Sequence, residues 1–142
     1  MSTTEIIPEG CLPPGVEPVW NDIEVSLNAL AVIRHMLAQV VAEEERLKDI
    51  FLACDEIVAN IAVHSRAVHA GFFCLCFEGR VFAGFRDDGV PFDPTSAEKQ
   101  AREFDAMEFG GMGLYFICQM VEEWHYFRVA GENLLLLIFA EK

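Results

Sequence analysis

Phe72-Phe73-Cys74-Leu75-Cys76-Phe77-Glu78-Gly79-Arg80-Val81-Phe82-Ala83-Gly84-Phe85-Arg86, followed by Asp87-Asp88-Gly89-Val90-Pro91-Phe92-Asp93-Pro94, is the stretch that decides the fold. Phe73, Leu75 and Phe77 alternate with Phe72, Cys74 and Cys76, so both faces of this segment carry apolar side chains. Glu78-Gly79-Arg80 is a turn, and Val81 to Arg86 reads as the returning strand of a hairpin. That strand runs into an Asp-Asp-Gly turn signal, then a Pro-Phe-Asp-Pro sequel that is unusual for a mere hairpin turn.

Upstream the period is helical. From about Asp22 to Ala42, Leu27, Leu30, Ala31, Leu37 and Val41 share one face, and Asn28, His35 and Gln39 another. Arg34 is the one charged interruption of the apolar stripe, and Asn21 with Glu24 reads as a loose capping box. The acids Glu43 to Glu45 suit the start of a second helix, where anions complement the dipole. That helix is predicted from about Glu44 to His64 on a stripe of Leu47, Ile50, Phe51, Cys54, Ile57, Val58 and Ile61. Residues 1–20 contain Pro8, Pro13, Pro14 and Pro18 and read as an irregular arm with room for one edge strand near Val16 to Trp20.

Downstream, residues 87–111 are loop-like, with a short helix within Ser96 to Phe104. A third helix is predicted from about Met112 to Glu123. Two last strands, Trp124 to Val129 and Leu134 to Phe139, are joined by a turn at Gly131-Glu132-Asn133. This order predicts an α+β fold with an antiparallel-rich sheet. The chain has 142 residues, enough for one domain. The predicted organisation is the arm at 1–20 and a single domain at 21–142.

Composition narrows the function. With 53% hydrophobic and 23% charged residues, the chain is neither a disordered tail nor a coiled-coil rod. Ten basic residues against 23 acidic ones give a net charge of −13, which argues against direct binding of nucleic acid or of an anionic membrane. A basic protein partner, or a metal ion paired with a phosphate ligand, stays open. Five cysteines without a signal-peptide pattern at Met1 to Gly10 lead us to expect a cytoplasmic protein. Leu134 to Ala140, the longest apolar run, is too short to span a bilayer. Cys74, Cys76, His64 and His69 have poor spacing for zinc, and core packing of the cysteines is favoured.

Three segments carry candidate chemistry. Glu56 and Asn60 lie four apart on one helix face, in a polar stripe with Asp49 and His64. The pair can be half of a site for a hard cation, Glu56 can be a base, or both can belong to a solvated face. An Asp at the end of a buried strand, Asp87, followed by x-Gly89, can aim an acceptor at a ligand while glycine lets the backbone pass close. Gly110-Gly111-Met112-Gly113-Leu114 leads into a helix and can offer backbone N–H groups to an anion. It lacks the third glycine of a dinucleotide fingerprint, since Phe116 stands there, and no Lys-Ser/Thr follows.

Together the three resemble the motifs of the GHKL nucleotide-binding superfamily, which includes gyrase, a heat-shock chaperone, histidine kinases and a mismatch-repair ATPase. They are most similar to those of the anti-sigma-factor serine kinases. Cys54-Asp55-Glu56-Ile57-Val58-Ala59-Asn60-Ile61-Ala62-Val63-His64 resembles the N box, and Asp87 to Pro94 the adenine-recognising box. Gly110 to Ile117 resembles the glycine-rich box, and Gly131-Glu132-Asn133 before a hydrophobic strand fits the usual ending.

The resemblance implies a two-layer α/β sandwich of the Bergerat type, with a mixed, mostly antiparallel sheet covered on one face by about three helices. It implies that Asn60 coordinates Mg²⁺ and that Glu56 is the general base or orients the acceptor hydroxyl. Asp87 accepts from the adenine amine, Gly89 admits the base, and Gly111, Met112, Gly113 and Leu114 offer N–H groups to the phosphates of ATP. Residues 95–109 form a lid, in which Lys99 and Arg102 are candidate phosphate contacts or solvated charges. The implied reaction transfers the γ-phosphoryl group to a serine or threonine of a protein partner, usually a small anti-sigma-factor antagonist. Members also sequester a sigma factor, commonly as homodimers, and Arg34 takes the place of a partner-facing arginine or makes a buried ion pair. The alternatives are a catalytically inactive nucleotide-binding interaction module and a histidine-kinase-type domain acting on a separate acceptor.

Overall fold

A computed structural model describes residues 7–8, 10–96 and 112–141. In chain order its elements are β1 (Asn21–Glu24), α1 (Leu27–Val40), α2 (Glu44–Asn60), β2 (His69–Phe77), β3 (Arg80–Asp87), α3 (Met112–Met120), β4 (Glu123–Val129) and β5 (Glu132–Phe139). A π-helical turn, Ile61–Ser65, continues α2. The hairpin that decides the fold is β2–β3, with Phe77 paired to Arg80 and Ala70 to Asp87. Its turn residues Glu78 and Gly79 have φ of 50° and 82°, and Ala130 and Gly131 between β4 and β5 have 53° and 78°. Positive φ at both turn positions matches the right-handed twist of the flanking strands. The sheet order is β1-β2-β3-β5-β4, and every pair is antiparallel.

The edge strand forms at Asn21–Glu24 rather than at Val16 to Trp20. Pro18 has no N–H to donate and restrains the residue before it, whereas the proline-free residues after it pair with His69 to Phe72. Asn21 and Glu24 therefore belong to a strand and not to a capping box. The N-cap of α1 is Ser26, whose hydroxyl accepts from the Asn28 N–H at 3.3 Å.

The alternation along β2 and β3 serves two cores. On the helix side, Phe72 and Phe85 pack with Ile33, Leu37, Ile50, Ile57 and Ile117. On the other side, Phe73, Phe82, Leu134, Leu136 and Ile138 are covered by the arm through Ile7, Cys11, Leu12 and Trp20. Each such side chain, fully buried, contributes roughly 1.5–3 kcal/mol. The arm thus stands in for a second layer, which the prolines gave no reason to expect.

Helix α1 buries Ala29, Ile33 and Leu37, and its C-cap Val41 is buried too, whereas Ala31 is exposed. Arg34 is exposed too, its guanidinium 5.7 Å from the Phe51 ring centroid, which excludes a buried ion pair. The buried face of α2 is the predicted one, save that Ala53 replaces Phe51 in the fully buried set. No described helix is long and apolar enough to cross a membrane. Burial pushes the Cys74 thiol up to about 11 and the Cys54 thiol higher still, so both act as small core hydrophobes. Among the described residues no three His, Cys, Asp or Glu side chains are grouped to hold a metal.

Candidate functional site

Asp87 is the last residue of β3, and the register sets Asn133 of β5 directly across from it. Both are buried, at 5% and 4% exposure. The carboxylate Oδ1 accepts from the Gly89 N–H at 2.9 Å and from Asn133 Nδ2 at 3.1 Å. Asn133 Nδ2 also donates to the Val90 carbonyl at 2.9 Å. Burial raises the Asp87 carboxyl above the ordinary carboxylate range. The bonds from Asn133 and Gly89 and the charge of Arg128 oppose that rise, and Asp88 adds to it.

The loop after β3 is stitched to the end of α2. There the helix widens into the π turn and stops at Arg66, which is left-handed at φ 60° and donates its N–H to the Ile61 carbonyl. Ser65 ends the helical segment, where carbonyls have no intrahelical partner, and its carbonyl accepts from the Val90 N–H at 2.8 Å. Gly89 passes so close that a Cβ there would sit 2.2 Å from the Ser65 oxygen, a rigid backbone atom. Arg128 donates to the Gly89 carbonyl at 2.7 Å. Beyond it, Phe92 stacks on His64, with ring centroids 4.5 Å apart and planes 12° from parallel. Asp93 then accepts from the Thr95 N–H and hydroxyl, with Pro94 in between. The Pro-Phe-Asp-Pro sequel is therefore a stacked ring followed by a capped turn.

These pieces enclose a cavity lined by Asn60, Ile61, Asp87, Phe92, Tyr126 and Asn133 among others. Its volume is about 20 Å³, room for one water. One turn back along α2, Glu56 lies against the start of α3: a Cβ on Gly113 would fall 1.8 Å from Glu56 Oε2. Asn60 Nδ2 donates to the Glu56 carbonyl at 2.7 Å, which leaves Oδ1 as the amide's remaining acceptor. The N–H groups of the first turn of α3, Gly113 and Leu114 included, have no carbonyl one turn earlier in the helix. The Leu114 side chain itself is core.

Glu56, Asn60, Asp87, Gly89, Gly113 and Leu114 are thus gathered along the C-terminal half of α2. Asp49, two turns earlier, lies instead in a groove with Arg46, Met120 and Phe139. Gly110, Gly111, Lys99, Arg102, the rest of the lid beyond Ser96 and most of the short helix predicted there lie outside the described residues. Asn133, Tyr126, Ser65 and Arg128 are the site residues that sequence reasoning missed. A polar Asn opening the apolar run Leu134 to Phe139 is the available signal, and in Gly131-Glu132-Asn133 it reads as part of a turn.

Gly113→Ala tests the contact between α2 and α3. The added methyl meets the end of a flexible carboxylate, so the protein should fold with nearly unchanged melting temperature while Glu56 is pushed aside. A displacement of that size costs on the order of 100-fold in a reaction that needs Glu56 in place. Unchanged turnover would show that the position of the carboxylate is immaterial.

Residues 19–139 match the family model described as the Histidine kinase-like ATPase domain. The match begins just before β1 and ends with β5. None of the curated proteins matches the chain.

Proposed function

The chain belongs to the histidine kinase-like ATPase domain family, an ATP-binding domain, and from that premise we propose that it is a serine/threonine protein kinase of the anti-sigma-factor type. It passes the γ-phosphoryl group of ATP to a hydroxyl of a partner protein in the cytoplasm, the partner being a small anti-sigma-factor antagonist. The observation that carries this reading is the continuity of the site. Asn60 and Asp87 line one cavity, and Glu56, one turn away, touches Gly113.

Each residue has a role that its surroundings allow. Both described bonds to the Asp87 carboxylate end on Oδ1, so Oδ2 is the acceptor left for the exocyclic amine of adenine. Gly89 lets the base approach where a side chain would collide with the Ser65 carbonyl. Gly113 and Leu114 offer N–H groups at the positive end of α3 to the phosphates. Asn60 Oδ1 is a hard oxygen donor of the kind Mg²⁺ takes beside substrate phosphates, and such an ion neutralises charge on the phosphoryl oxygens. Glu56 takes the proton of the attacking hydroxyl. A cavity of about 20 Å³ admits no purine, so the base enters by displacing the wall formed by Phe92 and Pro94.

The test is transfer from γ-labelled ATP, with Mg²⁺, to the proteins of a host-cell lysate. Acid-stable label on serine or threonine is expected. Acid-labile label would point to the histidine-kinase-type alternative. ATP binding without transfer would leave the interaction module.

A further inference from the structure

Asn133 makes the densest set of hydrogen bonds in the described part of the site. Its Oδ1 accepts from the Tyr126 hydroxyl at 2.5 Å and from the Phe92 N–H at 3.3 Å. Its Nδ2 faces Asp87 Oδ1 at 3.1 Å, the Val90 carbonyl at 2.9 Å and Ser65 Oγ at 3.5 Å. The Phe92 N–H on one side and the two obligate acceptors, Asp87 Oδ1 and the Val90 carbonyl, on the other allow one amide orientation only. Turned over, the amide would set NH₂ against the Phe92 N–H, and oxygen against oxygen. A hydroxyl at this position has a single proton to donate, so it cannot serve Asp87 and Val90 together.

We infer that Asn133, braced by the Tyr126 hydroxyl, is the positioning residue that fixes the Asp87 carboxylate for base recognition and couples it to the Val90–Phe92 wall of the cavity. The inference rests on the reading of Asp87 as the adenine acceptor. It adds that the geometry of Asp87 is set from β4 and β5, by two side chains that need not touch the nucleotide. The wall is tied to the same amide by two bonds, to the Val90 carbonyl at 2.9 Å and from the Phe92 N–H at 3.3 Å, and the second is the longer, so Phe92 can swing outward while the bond to Val90 keeps the amide on Asp87.

The test compares ATP affinity of the full chain as wild type, Asn133→Asp and Tyr126→Phe, from pH 5 to pH 8. At pH 7.5 Asn133→Asp opposes a second carboxylate to Asp87 and should lose at least about 30-fold in affinity. On acidification the introduced carboxyl takes up a proton and can donate it to Asp87 Oδ1, so affinity should rise towards pH 5. The wild-type amide has no proton to take up, so no such rise is expected of the wild type. The other titratable or charged groups facing the site are Arg128 from β4, Asp88 and Asp93 from the loop, and His64 from the π turn. They are common to both proteins, so a rise confined to Asn133→Asp reports on Asn133. Tyr126→Phe should lose about three- to tenfold with its melting temperature nearly unchanged, and it decides alone if Asn133→Asp does not fold. Affinities within twofold of wild type, or a loss in Asn133→Asp that is the same at every pH, would overturn the inference. Wild-type protein with no affinity for ATP would overturn the reading of Asp87 and this inference with it.

Discussion

Asp87→Asn should lose at least about 100-fold in ATP affinity while melting no lower than wild type at pH 7. The amide oxygen can still accept from Gly89 and Asn133, so the internal bonds survive. The atom facing the base becomes NH₂, a donor set against the donor amine of adenine. A hydrogen bond to a charged group is worth about 1.5–3 kcal/mol, and leaving two buried donors opposed adds to the loss. Stability moves the other way. Burial raises the Asp87 carboxyl, so the folded state prefers it protonated. Its contribution is fully present below the unfolded pKa and is lost as pH rises through the higher folded one, which makes the carboxylate a net cost at pH 7. Removing the charge removes that cost. Calorimetric titration and a thermal melt check the two halves separately, and a variant that binds ATP normally would confine Asp87 to a structural role.

Glu56→Gln is the second large effect expected. The amide cannot take the hydroxyl proton, so phosphoryl transfer should fall by about 10²–10⁴-fold, the usual contribution of a general base. The side chain keeps its length and its place against Gly113. ATP affinity should therefore stay within about threefold of wild type. Single-turnover transfer from labelled ATP separates the two quantities. Undiminished transfer would remove Glu56 as the base, and loss of binding together with transfer would make it a ligand contact instead.

How much of this was legible in the sequence differs from element to element. The β2–β3 hairpin was readable because a buried strand writes a period of two, and α2 because an amphipathic helix writes a period near 3.6. Asp87 and Gly89 stood out because an acid and a glycine at the end of an apolar strand are costly without a purpose. Asn133 did not, since its role depends on strand register, and register joins residues 46 positions apart. The π turn was equally hidden. One extra residue in a helical turn leaves the apolar spacing of Ile57, Val58 and Ile61 intact, and its effect appears only where the Ser65 carbonyl meets Val90. The arm was misjudged for a different reason. Prolines forbid a central strand but do not prevent Ile7, Leu12 and Trp20 from covering an apolar sheet face.

The central proposition is that α2, the loop after β3 and the start of α3 form one pocket that reads adenine. Calorimetric titration of the wild-type chain with ATP and then with GTP, each with Mg²⁺, tests it most directly. A single saturable site for ATP is expected, with GTP at least about tenfold weaker because its O6 sets an acceptor against the Asp87 carboxylate. No heat from millimolar ATP, or equal affinity for the two nucleotides, would contradict it.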